Sequence, residues 1–274
     1  MCECVYEKRR AVKAKERERG GERMWSRNGV AFVVTAIGAT AWTKLVHGLA
    51  RRGVIEQKLS RKVVHIGTGL GYMLTWPLYT RVGVSRWLAA SVPMAFSIRL
   101  GLVGVGVLDD KSVIAGMTRT GDRRELLTGP MIYGFVHSIA TVIYWMDSPH
   151  GVLALVCLCA GDGAADIVGR RLGKYTGKWP HSPQKSYAGT AAFVVASTLV
   201  GSAYLHMFGS LYGREFLGAK LDDGQSSSGG IVAHTLLIST AASLVESLPF
   251  NDIDNITLTL TAALLSSWRC STTT

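Results

Sequence analysis

Apolar residues come in long blocks, most of them near the roughly 20 residues a helix needs to cross a bilayer. The blocks are Val30–Ala50, Val63–Tyr79, Trp87–Leu108, Met131–Met146, Tyr187–Phe208 and Ile231–Leu248, with a shorter one at Ile256–Trp268. A further run, Gly151–Ala160, is too short to cross alone. It is expected to continue as helix through the polar GDGAADIVG that follows, with its polar face turned inward. The pattern predicts an all-α, polytopic transmembrane helical bundle of about seven to eight spans, some short or broken. No soluble domain boundary and no internal repeat interrupts it. Residues 1–28 are expected to form a disordered tail, 29–269 one membrane domain, and 270–274 a short C-terminal tail. The first tail holds nine Lys/Arg and five Glu with no apolar segment, unlike a secretory signal or a transit peptide.

Composition agrees with this class: 48% of the 274 residues are hydrophobic and 18% are charged. The net charge of +11 is read as topology, because basic residues flank spans and hold one side at the anionic leaflet. The expected partner is therefore the lipid bilayer. No basic face with interleaved aromatics occurs, so nucleic acid is not an expected partner. Five scattered cysteines do not make a disulfide framework.

If each block crosses once, loops 51–62, 109–129, 161–186 and 249–255 share one membrane face. Loops 80–86, 147–150 and 209–230 share the other, and the charged tail falls with them. The first face holds most of the loop cations and is the expected nucleotide side.

The chemistry concentrates in Gly161–Ser186, GDGAADIVGRRLGKYTGKWPHSPQKS, between two apolar runs. Ionisable groups at membrane depth are functional candidates. Asp162 and Asp166 are four apart and share a helix face. Two carboxylates suit Mg²⁺, which takes one or two of them plus substrate phosphates. Gly161 and Gly163 are expected to let backbone approach a ligand. Arg170, Lys185 and their basic neighbours suit phosphate charge. Together these read as nucleotide-dependent phosphoryl transfer. The competing reading is a helix start followed by a basic membrane-proximal loop. No Walker-type GxxxxGK[ST] is present.

Other blocks add candidates. Arg61, Lys62 and His65 stand at the start of the second span, where they could hold phosphate or orient an alcohol; interfacial anchoring competes. Arg99 is expected mid-span, paired with an acid or turned into the cavity. Glu125 is a candidate metal ligand beside Asp162 and Asp166, or the partner of a loop arginine; Arg123 is a further phosphate candidate. Glu246, Asp252 and Asp254 fall on the same face as Asp162 and could serve a metal or act as base. His137, His206 and His234 are read as packed or interfacial.

LSRKVVHIGTGL, RRELLTGPMIYG, GDGAADIVGRRLGKYTGKWPHSPQKSYAGT and VESLPFNDIDN, in that order, resemble the plant phytol kinase and farnesol kinase group of the polyprenol (dolichol) kinase family. The resemblance covers about Leu59 to Leu265. It implies an integral membrane enzyme that phosphorylates an isoprenoid alcohol, with CTP as donor and a divalent metal. It also implies a plastid membrane, with endoplasmic reticulum as alternative. The family's DGxAD and PxKS elements carry nucleotide binding over to Asp162, Gly163, Asp166, Pro183, Lys185 and Ser186. Phytol is the expected substrate, with farnesol or geranylgeraniol as alternatives. On this reading Lys185 and Arg170 neutralise the transferred group, and His65, Glu246 or Asp254 takes the alcohol proton. A CTP-using cytidylyltransferase or a transporter are the competing functions.

Overall fold

The computed structural model describes residues 2–146, 148–217, 228–249 and 254–272. Its helices are α1 (Cys2–Arg51), α2 (Gln57–Leu74), α3 (Gly83–Gly104), α4 (Lys111–Met117), α5 (Glu125–Tyr144), α6 (Pro149–Val156), α7 (Asp162–Thr176), α8 (Tyr187–Tyr212), α9 (Arg214–Leu217), α10 (Ser228–Glu246) and α11 (Asp254–Thr272). A π turn, Cys157–Gly161, joins α6 to α7. A small antiparallel hairpin, β1 (Lys178–Trp179) and β2 (Ser182–Ser186), precedes α8.

Among the described residues, six helical stretches are long and apolar enough to cross a membrane: Gly21–Arg51, Gly83–Gly104, Glu125–Tyr144, Pro149–Thr176, Tyr187–Tyr212 and Ser228–Glu246. Asn255–Ser267 is a shorter apolar helix. Helix α2 is less apolar, because its first turns carry Lys58, Arg61 and Lys62. It lies antiparallel along α1. Trp42 Nε1 donates to the Val63 carbonyl at 3.3 Å, Thr35 meets Thr75 at 2.9 Å, and Arg27 reaches the carbonyls of Pro77 and Leu78.

Helix α1 runs unbroken from Cys2, through the stretch expected as the N-terminal tail. No proline occurs before residue 77, and the stretch is rich in Ala, Glu, Lys and Arg, all strong helix formers. At the other end, α11 extends to Thr272 and takes in most of the expected C-terminal tail.

Pro149–Thr176 forms the centre of the bundle. Ser148 caps it by accepting from the His150 amide, and Pro149 sits at its first position. Residues 151–161 are all buried, as expected for GVLALVCLCAG, which is apolar on every side. Helices α3 and α5 pack closely, since Gly134 lets Ser97 and the Pro93 carbonyl approach. Trp76, Tyr79 and Trp145 form a fully buried aromatic layer at the end of the bundle where Arg27 lies.

Arg99 is not mid-span: α3 ends at Gly104, so Arg99 lies near its C-terminus, half exposed. It pairs with Asp110 at 2.5 Å. The Ser112 hydroxyl and the Val113 amide, together with Arg99, hold the Asp110 carboxyl below its usual range. Asp110 thereby caps α4.

Candidate functional site

The π turn sets the geometry of the site. Within it the Asp162 amide reaches back five residues to the Cys157 carbonyl. The Leu158 carbonyl meets His65 Nε2 at 2.9 Å. A carbonyl only accepts, so Nε2 carries hydrogen and Nδ1 is the basic nitrogen of the neutral ring. Asp162 Oδ2 lies 3.3 Å from the same Nε2.

Lys62 binds the two aspartates together. Its Nζ stands 2.8 Å from Asp162 Oδ2 and 3.9 Å from Asp166 Oδ2. Arg170, one turn after Asp166, pairs with it at 2.7 Å. One cation thus occupies the position between two carboxylates, and a second closes the row. Among the described residues no three of His, Cys, Asp or Glu converge on one point. The pair Asp162 and Asp166 alone fits Mg²⁺, which keeps waters and phosphate oxygens for its remaining positions.

These groups open onto a cavity of about 1250 Å³ between α1, α2, α3 and α5. Its mouth is lined by Lys58, Arg61, Lys62, Arg119, Glu125 and Arg170, with Asp162 and Asp166. Deeper walls are largely apolar and include Ala36, Val64, Val92 and Phe96. Asn255 also lines it, so the start of α11 belongs to this end of the bundle. The site gathers loops 51–62, 109–129 and 161–186, as the alternation of spans predicts.

Several expected residues have other roles. Gly161 and Gly163 lie where helices pack closely. A Cβ on Gly161 would lie 2.4 Å from Ser197 Oγ, and one on Gly163 would lie 2.3 Å from Ile66 Cγ1. Ser186 is buried and caps α8 by accepting from the Gly189 amide at 3.1 Å. Pro183 is exposed on β2. Arg123 does not line the cavity; its guanidinium packs at Gly106, beyond the end of α3. Glu125 lines the mouth but spends its oxygens on the loop before it. It accepts from the Arg119 amide at 2.5 Å, the Thr120 amide at 2.8 Å and the Thr120 hydroxyl at 2.6 Å.

Lys185 and Glu246 do come together; neither lines the cavity, but the Lys185 charge reaches Asp162. Lys185 on β2 donates to the buried Glu246 at the end of α10. His181 Nε2 lies 3.2 Å from Ser247 Oγ, so the hairpin is held to α10 at two points. Asp252 and the side chain of Asp254 lie outside the described residues.

A hydrogen-bonded cluster at His65, whose Tyr133 and His137 also line the cavity, is absent from the sequence reading. The Tyr133 hydroxyl donates to the His65 carbonyl at 2.6 Å and meets Cys159 Sγ at 3.2 Å. Cys159 Sγ in turn lies 3.3 Å from His137 Nε2, whose Nδ1 donates to the Tyr133 carbonyl at 2.8 Å. Gly69 allows this closeness: a Cβ there would stand 2.2 Å from both Cys159 Sγ and Tyr133 Oη. Only the position of Tyr133 inside RRELLTGPMIYG could have pointed to it. His234 is buried and His206 exposed.

The chain resembles curated plant proteins over most of its length. It is 42% identical over 236 residues to a chloroplastic farnesol kinase of Arabidopsis thaliana, covering 85% of this chain and 73% of the relative. It is 42% identical over 237 residues to probable phytol kinase 2, chloroplastic, of Oryza sativa subsp. japonica, with the same coverage of 85% and 73%. Phytol kinase 1, chloroplastic, of Arabidopsis thaliana is 35% identical over 241 residues, covering 86% of this chain and 75% of the relative. No protein-family model and no solved structure matches the chain. On these identities and coverages the chain belongs to the plant phytol kinase and farnesol kinase family.

Proposed function

We propose that this protein is a kinase of isoprenoid alcohols in a chloroplast membrane, using CTP as donor and phytol as its main acceptor. One observation carries the reading: the Lys62-bridged aspartate pair stands at the cationic mouth of a cavity whose depth is apolar. Such a mouth holds a triphosphate, and such a depth holds a prenyl chain. The relatives named as phytol and farnesol kinases give the same class of reaction.

In the transfer, the alcohol oxygen bonds to the terminal phosphorus while the bond from that phosphorus to the bridging oxygen breaks. The nucleoside diphosphate leaves, and the hydroxyl proton passes to a base. Asp162 and Asp166 would hold Mg²⁺, which supplies charge neutralisation to the phosphates when bound. Lys62, Arg61 and Arg170 bind the phosphate oxygens and stabilise charge that develops on the transferred group. His65 gives its Nε2 hydrogen to Leu158, which keeps the ring fixed and leaves Nδ1 to take the proton. Lys185, paired with Glu246, adds positive charge within electrostatic reach of Asp162.

The test is the purified protein in detergent, offered phytol, farnesol and geranylgeraniol with each labelled nucleoside triphosphate. CTP-dependent phytyl phosphate with release of CDP is expected; pyrophosphate release would point to a cytidylyltransferase instead. Asp162→Asn should lower turnover at least about a hundredfold while the protein still inserts in the membrane, in line with the loss of one preorganised electrostatic group. Full activity in that variant would remove the metal role. Farnesol as the preferred acceptor is a second reading. It is favoured by the 42% identity to the Arabidopsis farnesol kinase against 35% to phytol kinase 1 of the same plant.

A further inference from the structure

The depth of the cavity is more specific than its mouth. It runs along α2 from His65 to Tyr72, seven residues, or about 10 Å at the α-helical rise. Ala36 and Phe32 of α1 face Val92 and Phe96 of α3 across it. The floor is fixed: the Tyr72 hydroxyl is bonded to Thr141 Oγ1 at 2.9 Å, and its ring packs edge-on against Trp76. Trp76 and Trp145, both fully buried, close the space beneath. The side wall is different. Thr40 on α1, and Ala95 and Phe96 on α3, line the cavity and are exposed, and their neighbours Ile37 and Ile98, which do not line it, are exposed too. At that height in a membrane helix Ile37 and Ile98 face lipid, so the cavity wall between α1 and α3 is one residue from the bilayer.

Resting on the kinase reading above, we propose that this chamber holds the prenyl chain and opens sideways to the bilayer between α1 and α3, with Tyr72 and Phe32 as the stop that limits chain length. Three observations support this occupant. The apolar chamber is continuous with the charged mouth, so a chain bound there brings its hydroxyl to Asp162 and His65. The lateral opening faces the medium in which a prenol is dissolved. The closed aromatic floor offers no passage to the other side, which a transport route would need. A long chain must bend or lie partly in the opening, whereas a short one fits above Tyr72.

Two measurements test it. The first uses a farnesol analogue with a diazirine on its terminal isoprene unit, photolysed with the protein without nucleotide. Label should appear on peptides containing Ala36 and Phe96 and should be competed away by phytol. Label confined to α8 and α10, or label that excess phytol does not displace, would overturn the proposal. The second narrows the chamber. Ala36→Phe, or Ala95→Phe from the facing wall if the first does not fold, should lower kcat/KM for phytol by about tenfold, the scale of a lost apolar contact. Geraniol should be affected less than about twofold, well below that scale, with the nucleotide KM unchanged. Ile37→Phe, on the exposed neighbouring position, is the control and should do neither. Equal effects of Ala36→Phe and Ile37→Phe would sink the chamber. The two readings fail separately: a protein that phosphorylates no prenol refutes the kinase assignment, while the labelling result still decides the chamber.

Discussion

Gly163 shows what a single position can and cannot reveal. In sequence it belongs to a glycine-rich acidic stretch, which suggests a backbone approached by ligand. In the structure the space of its missing side chain is filled by Ile66 of α2. Spacing exposes the aspartates, because Asp162 and Asp166 must share a face at four residues apart. It does not expose Ile66, because no local rule says which side chain of a distant helix fills a gap. Ser186 is the opposite case. A serine before an apolar helical run is an N-cap signal, and Ser186 serves as one. Packing at Gly163 makes a prediction. Gly163→Ala should destabilise the protein by about 1–3 kcal/mol through overpacking, read as a lower melting temperature in detergent. Ile66→Ala in the same chain should restore both stability and activity. Failure of that second change to rescue activity would return Gly163 to a ligand-contacting role.

At the scale of elements, the break between α6 and α7 matters most. Sequence reasoning extends Gly151–Ala160 as helix through GDGAADIVG, and the structure does the same across Pro149–Thr176. The π turn itself has no signature in the residues. Its consequence is angular: one inserted residue turns all of α7 by about 100° relative to a regular helix. That turn brings Asp162 to Lys62 and His65 on α2. Deleting Ala160 should restore regular winding and carry both aspartates away from α2. The expected result is loss of phosphoryl transfer in a protein that still inserts and resists protease; retained activity would show that the turn is incidental.

For the whole molecule, alternation of apolar blocks gives the sidedness of the loops with little else needed. Residues far apart in sequence meet as that alternation requires: Lys62 with Asp162, and Lys185 with Glu246. At the other end, Arg27 meets Leu78 and Arg81 lies over Tyr212. The cavity was less legible, because residues of α1, α2, α3, α4, α5, α7 and α11 line it and no single stretch carries its outline. Sidedness can be measured with an impermeant maleimide on sealed vesicles. Cys157 and Cys159 are buried, so replacing Cys2, Cys4 and Cys270 by Ser should silence the background. Cysteine at Lys58, Arg119 or Lys178 should then label from one side and cysteine at Arg81 from the other. Lys58 and Arg81 labelling from the same side would contradict the arrangement.

The sealed aromatic end gives the bundle a direction that its substrate lacks. A neutral prenol can settle in either half of a bilayer and flip between them. Once it carries a phosphate it is an anionic amphiphile, and Trp76 and Trp145 deny it any way through the protein. Every molecule made would surface in the leaflet that faces the nucleotide pool. Any later enzyme that consumes it would have to work on that same surface, or depend on a separate flippase.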